Sequence, residues 1–227
     1  MRAKWMGKMC LAATLAALLL VALAPRASAQ SGPAVIVVDF SNPGLSPSHW
    51  TLTLRPDGSG HFRSERGKAP TGPQELNAVS VDRDIQVSKA FAGRIFDTAR
   101  RHNWFNEECE SRMKVAFQGW KKLAYTGPEG QGACTYNYSK NKEIGLVGDA
   151  FIAVAQTLLE GSRLEMLLLH DRLGLDSETE YLVEAMCDGR AQQIGAIREI
   201  LERLAGDDNV MDRVRKRALF LLARADT

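Results

Sequence analysis

Apolar and polar positions alternate in the first part of the chain. Trp50, Leu52 and Leu54 interleave with Thr51, Thr53 and Arg55, the period of two expected of a strand with one buried face. Val35-Ile36-Val37-Val38 is a β-branched run of the same class. Pro56-Asp57-Gly58 predicts a turn, and His61-Phe62-Arg63-Ser64 is its returning strand. Val115-Ala116-Phe117, Gln118-Gly119 and Trp120 to Thr126 predict a second hairpin, and Cys134 to Tyr138 a further strand beyond the Gly127–Gly132 loop. One helix interrupts the strands. Ser88 caps it, and Phe91, Ile95 and Ala99 line one face as far as Trp104.

The period changes to three and four in the second part. Ile194, Ile197, Ile200, Leu201 and Leu204 make one stripe; Met211, Val214, Ala218, Leu221 and Leu222 make another. Gly161, Gly174, Gly189 and Gly206 punctuate these segments, as glycine does where helices end. Ser162 with Glu165, and Ser177 with Glu180, have capping-box spacing at helix starts. Five helices are expected, near residues 149–160, 163–173, 177–188, 190–205 and 209–224, joined by links short enough to make neighbours antiparallel. Composition changes along with the pattern. All eight prolines lie at or before Pro128, and residues 161–227 hold one lysine against nine arginines, which places a change of architecture near residue 145. The expected fold class is α+β: a mostly antiparallel sheet with a packed helix over 30–145, then an all-α helical-hairpin bundle over 146–227.

The last two helices, with Asp207-Asp208 at the turn and Val214-Arg215-Lys216-Arg217-Ala218 in the second, resemble a HEAT-type helical pair over about 35 residues. That resemblance implies a helical interaction surface. The first half is similar in its pattern to small secreted bacterial domains of unknown function, a likeness that implies no particular site.

The N-terminus reads as an export signal. Arg2, Lys4 and Lys8 precede the apolar run Leu11–Ala24, followed by Pro25, Arg26 and the small residues Ala27-Ser28-Ala29. Fourteen residues rise only about 21 Å as a helix, short of the roughly 30 Å hydrocarbon core, so residues 1–29 are expected to be cleaved and not to anchor the chain. Cleavage leaves 198 of the 227 residues, starting at Gln30, with no further transmembrane segment expected. The leader holds four of the 29 basic residues and no acidic one, so the remainder carries 25 basic against 27 acidic groups, net −2. A secreted or periplasmic chain so nearly neutral gives no reason to expect nucleic-acid binding.

An oxidising compartment changes the reading of the cysteines. Cys109, Cys134 and Cys187 remain after cleavage, and the expected disulfide is Cys109–Cys134, because both lie in the strand-rich half and a sheet edge can recapture the polar loop around Cys109. Cys187 is expected to be a free cysteine on the buried face of its helix. No Cys-x-x-Cys occurs and the four histidines are scattered, so no zinc site and no cofactor are expected.

Candidate chemistry is sparse. Ser-x-x-Lys occurs at Ser111–Lys114 and Ser139–Lys142, but neither copy sits in a convincing helix and no Lys-Thr-Gly accompanies them. His170-Asp171 matches a dipeptide of metal-dependent phosphohydrolases without the other histidines such a site needs. Glu107, Glu108 and Glu110 surround Cys109 without EF-hand spacing, and read as a solvated loop. Glu178 and Glu180 read as helix-start charges that offset the dipole. Trp50, Trp104 and Trp120 read as core anchors in preference to a sugar-stacking platform. Arg213, Arg215 and Arg217 on the basic terminal helix are the candidate interaction surface, set against a balanced polar helix face in a region of net charge −3.

The function expected is a non-enzymatic binding or scaffolding module with another envelope protein as partner. The alternative is an envelope hydrolase whose site assembles His61, His102 or His170 beside a carboxylate.

Overall fold

The computed structural model describes residues 32–65 and 80–225. The export-signal reading of residues 1–29 therefore lies outside the described residues. The described residues form one compact unit. Its six strands are β1 (Val35–Ser41), β2 (His49–Leu54), β3 (Ser59–Glu65), β4 (Val81–Gln86), β5 (Trp120–Gly127) and β6 (Gly130–Tyr136). They form one antiparallel sheet in the order β4-β3-β2-β1-β5-β6. The helices are α1 (Lys89–Arg101), α2 (Lys142–His170), α3 (Gly174–Cys187), α4 (Arg198–Gly206) and α5 (Asp212–Leu222). The fold is α+β, as the change of period implies.

Alternation gives the sheet one buried face. Ile36, Val38 and Phe40 of β1 lie beside Leu54, Leu52 and Trp50 of β2 and beside Tyr125, Leu123 and Lys121 of β5. α1 and α2 cover that face. Phe96 meets Tyr125 edge-on at 6.3 Å, Phe91 meets Phe151 at 6.2 Å, and Arg83 of β4 reaches Glu165 of α2 at 3.3 Å. Ser88 caps α1, its hydroxyl accepting from Phe91 N at 3.2 Å, and Phe91, Ile95 and Ala99 are buried as their spacing predicts. The core is continuous from Ile36 in β1 to Leu221 in α5.

Several local expectations are corrected. Val115–Phe117 is not a strand, and the turn of the second hairpin lies at Gly127–Gly130 instead of Gln118–Gly119. β4 pairs with β3 although Val81–Gln86 shows only Val81 and Ile85 as buried apolar positions among charged ones. α1 stops at Arg101, because Asn103, Trp104 and Phe105 all take positive φ, a single left-handed turn. That turn is held by the buried Phe105 ring and by Trp104 stacked on Tyr125 at 4.0 Å. Gly132 of β6 leaves room for it, since a side chain there would meet Trp104 O and Asn106 N.

The two helices expected at 149–160 and 163–173 are one. α2 runs unbroken through Gly161 and Ser162, both buried. Asn141 caps it, accepting from Glu143 N at 3.0 Å, so Ser162 and Glu165 do not form a cap. Gly161 serves close packing and not termination: a Cβ there would strike the Ile197 side chain in the 3-10 turn Ile194–Ile197. α3 begins at Gly174, so Ser177 and Glu180 also lie inside a helix, with Ser177 Oγ donating back to Gly174 O at 3.1 Å. The helix expected at 190–205 begins only after Gln193, which lies in the left-handed region, as the 3-10 turn Ile194–Ile197 that leads into α4. α2 is long and apolar enough to cross a membrane by composition, yet 61% of its most apolar window is buried within the fold.

Gly161→Ala tests the packing account. Alanine raises helix propensity by about 1 kcal/mol, and overpacking costs about 1–3 kcal/mol, so a net loss of stability by urea unfolding is expected. A more stable variant would show that Ile197 gives way freely.

Candidate functional site

The disulfide joins Cys109 to Cys134, whose Cα atoms are 5.7 Å apart. It fastens the loop after the left-handed turn along the outer edge of β6. Ser111 N donates to Tyr138 O at 2.8 Å and Lys140 N to Cys109 O at 2.9 Å, so the loop takes up backbone groups beyond the end of β6. Cys187 is exposed and not buried, because α3 turns Leu182 and Ala185 inward and leaves position 187 on the outside.

The same loop walls a cavity of about 480 Å³ between the β5–β6 hairpin and the first turns of α2. Lys121 is its unusual member. Its neighbours on the inward side of β5 are Leu123 and Tyr125, and it is itself only 3% exposed. Nζ donates to Asn137 O at 3.1 Å and lies 5.5 Å from the centre of the Tyr136 ring. Burial pushes the Lys121 ammonium below the usual lysine range, while Asp149 and Glu110 pull it back up. Tyr136 donates its phenolic proton to Ile144 O at 3.0 Å, tying β6 to the first turn of α2, and burial holds that phenol far above the usual tyrosine range. Gly148 makes the seat. A side chain there would strike the Tyr136 hydroxyl and come within 3.1 Å of Lys121 Cδ.

Asn137 organises the wall. Its Oδ1 accepts from Gln118 N at 2.6 Å, its Nδ2 donates to Ala116 O at 3.3 Å, and its N donates to Glu110 Oε2 at 2.6 Å. The bonds to Ala116 and Gln118 stand in for ladder pairing there, so this part of the loop follows the sheet edge without being a strand. Apolar side chains stand in the open along the cavity: Met113 is 65% exposed, Leu146 57% and Tyr138 40%. Phe117 and Trp120 meet edge-on at 6.0 Å nearby in sequence. Trp120 is 46% exposed and so is not a core anchor, because β5 turns Lys121, Leu123 and Tyr125 inward. Trp50 is buried and Trp104 partly buried, both packed in the core.

Both Ser-x-x-Lys serines line this cavity. Ser111 Oγ accepts from Met113 N, and Ser139 Oγ bonds both N and O of Asn141, so each shapes the backbone. Neither is hydrogen-bonded to a lysine among the described residues. Lys140 pairs with Glu108 at 3.4 Å, and Lys142 stands exposed at the start of α2.

No family model matches the chain, and no curated protein sequence is similar to it.

The histidines lie elsewhere. His49 sits between Asp39 and Glu65 at 3.2 and 3.9 Å, and His61 between Asp82 and Asp84 at 2.9 and 3.0 Å, both on the outer face of the sheet. His102 sits between Glu143 and Glu107 at 3.2 and 3.4 Å, and its Nδ1 accepts from Asn141 Nδ2 at 3.0 Å. His170 is exposed at the end of α2. None of the four lines this cavity, and among the described residues no group of three metal-binding side chains converges.

The basic face of α5 is engaged within the chain. Arg213 and Arg217 both reach Asp176 Oδ1, at 2.6 and 2.7 Å, and Arg217 also reaches Glu180 at 3.3 Å. Arg215 pairs with Asp208 at 2.7 Å and with Asp212 at 3.5 Å. These pairs hold Asp176 well below the usual carboxylate range, the Arg217 hydrogen bond first among the causes.

A second buried titratable group lies where α2 meets α3. Glu160 is 4% exposed, its Oε1 accepts from Gln156 at 2.7 Å, and its Oε2 receives no donor among the described residues. Desolvation first, and then the facing Glu178, push its carboxyl up to about 9, against the pull of Arg163 at 3.9 Å and of Gln156. Two carboxylates here supply acceptors only, so a proton on Glu160 provides the donor that this pair lacks. Glu178 therefore does more than offset a helix dipole: it faces Glu160 and pairs with Arg163 at 3.2 Å.

Proposed function

We propose that this protein is an exported binding module whose ligand site is the cavity beside Lys121. The observation that carries this reading is the coincidence of a 480 Å³ concavity, a buried cation in its wall and exposed apolar side chains along it. Volumes of this order suit small ligands, and apolar surface with a few placed polar groups is the usual lining of such sites. Exposed Met113 and Leu146 have no folding reason to be apolar, and burial against a ligand would supply one. The walls offer no nucleophile hydrogen-bonded to a base, which favours binding over a hydrolytic reading.

Export is part of the proposal. The Cys109–Cys134 disulfide is compatible with an oxidising compartment, and the basic, apolar and small-residue order of Met1–Ala29 accounts for how the chain would reach one.

A fragment screen observed on the folded, disulfide-bonded protein by methyl and amide NMR tests the binding role. Hits are expected to shift resonances of Met113, Tyr138 and Leu146, and Leu146→Glu should abolish them without altering the melting temperature by more than a few degrees. Hits that map elsewhere, or a screen with none, would sink the assignment of this cavity.

A further inference from the structure

We infer that the cavity takes a small organic monocarboxylate with an apolar body, its carboxylate on Lys121 and its body against Met113, Tyr138 and Leu146. This assignment rests on the binding reading above and names the ligand class.

The donor count of the buried lysine leads to the head group. An ammonium has three N–H donors. Lys121 spends one on Asn137 O, and its approach to Tyr136 is to the ring face and not to an acceptor atom. Among the described residues it makes no hydrogen bond to Asp149 or Glu110, although both carboxylates act on it through space. At 3% exposure an ammonium short of acceptors is costly to keep, and the open cavity is where acceptor oxygens can come from. A ligand carboxylate supplies two oxygens with the charge to match.

The rest of the lining limits the charge and chooses the body. Asp149 lines the same cavity, so a phosphate dianion would bring two negative charges to a wall that already carries one. Lys140 is already paired with Glu108 at 3.4 Å, leaving Lys142 as the second cation for a single anionic head. Met113, Tyr138 and Leu146 offer hydrocarbon and an aromatic ring to whatever lies beyond that head. A free sugar or a polar amino acid would leave this apolar surface against water.

A matched pair of probes tests the class: 4-phenylbutyrate and its neutral amide, titrated calorimetrically and followed by methyl NMR on the folded protein. The acid is expected to bind at least tenfold more tightly than the amide, with shifts at Met113 and Leu146. Lys121→Met keeps the buried aliphatic stem and removes the charge, so it should bring acid and amide to equal affinity. Leu146→Ser should weaken both alike. If Lys121→Met unfolds, the acid–amide ratio in the native protein still decides the matter. Equal affinity for acid and amide within the cavity would overturn the carboxylate assignment and leave the binding reading intact. Binding of neither probe would overturn the assignment too, and the fragment screen then judges the cavity separately.

Discussion

Replacing Cys109 and Cys134 together by alanine is expected to lower the unfolding free energy by about 3.5 kcal/mol. The figure follows from the entropy of closing a loop whose ends are 25 residues apart. Both sulfur atoms are buried, Cys109 at 2% exposure and Cys134 at 6%, so lost packing adds to the entropic loss. The damage should also be local. The loop after Cys109 carries Glu110, whose Oε2 accepts from Asn137 N, and Asn137 in turn holds Ala116 and Gln118. Freed from β6, that loop no longer walls the cavity, and ligand affinity should fall further than global stability does. Urea unfolding of the oxidised protein and of the double variant gives the first quantity. A difference below about 1 kcal/mol would show that the edge of β6 holds the loop without the covalent link.

Glu160→Gln is expected to stabilise the protein increasingly as pH rises. In the folded chain the Glu160 carboxyl is raised from the ordinary 4.5 to about 9, while in the unfolded chain it ionises near 4.5. Between those values the folded state holds a proton that the unfolded state has released. Its contribution is therefore most favourable below pH 4.5 and is lost progressively as pH rises towards 9. Ionisation at high pH would set a second negative charge beside Glu178, with Arg163 opposed to the pair, and would leave Oε2 without a donor among the described residues. Tyr181 and Arg190 stand behind Gln156 and do not reach the carboxyl itself. Glutamine keeps an acceptor and a donor at all pH values. The stability difference between the variant and the parent should grow by up to about 1.4 kcal/mol per pH unit through this window. Denaturant titrations at pH 5.5 and pH 8 measure it, and a difference that does not change with pH would refute the assignment.

The strands and helices that alternation or helical spacing marks strongly are the ones the structure contains: β1, β2, β3, β5, α1 and the stripes of α4 and α5. The failures are instructive. β4 carries Asp82, Arg83 and Asp84 in succession, and only pairing with β3 makes it a strand. Gly161 resembles a helix terminator because sequence spacing cannot distinguish a glycine that ends a helix from one that admits a neighbour's side chain. Ile197 lies 36 positions further on, and its approach exists only after α2 and the 3-10 turn have packed. Ser162 and Ser177 mislead for a related reason, since a capping motif is a local signal that a continuous buried helix face overrides.

The candidate site was legible only in part. Lys121 takes the first inward register position of an alternating strand, ahead of Leu123 and Tyr125, and a lysine in that place is an anomaly visible in the bare sequence. Reading Trp120 as the buried residue hides it, because a shift of one position exchanges the two faces of a strand. The Glu160–Glu178 pair has no comparable signal. Each glutamate is ordinary on its own helix, and their proximity depends on how α2 and α3 turn towards each other.

The amino-acid order by itself determined the α+β class, the buried face of β2, the Ser88 cap and the pairing of Cys109 with Cys134. These follow from interactions between near neighbours or from a period that one buried face imposes. Tertiary packing alone decided that α2 runs through Gly161, that Val81–Gln86 completes the sheet, and that the ionisable groups of Lys121 and Glu160 are withdrawn from water. The physical reason is the same in each case. Burial and close approach are set by residues distant in the chain, and these become neighbours only once the helices have closed over the sheet.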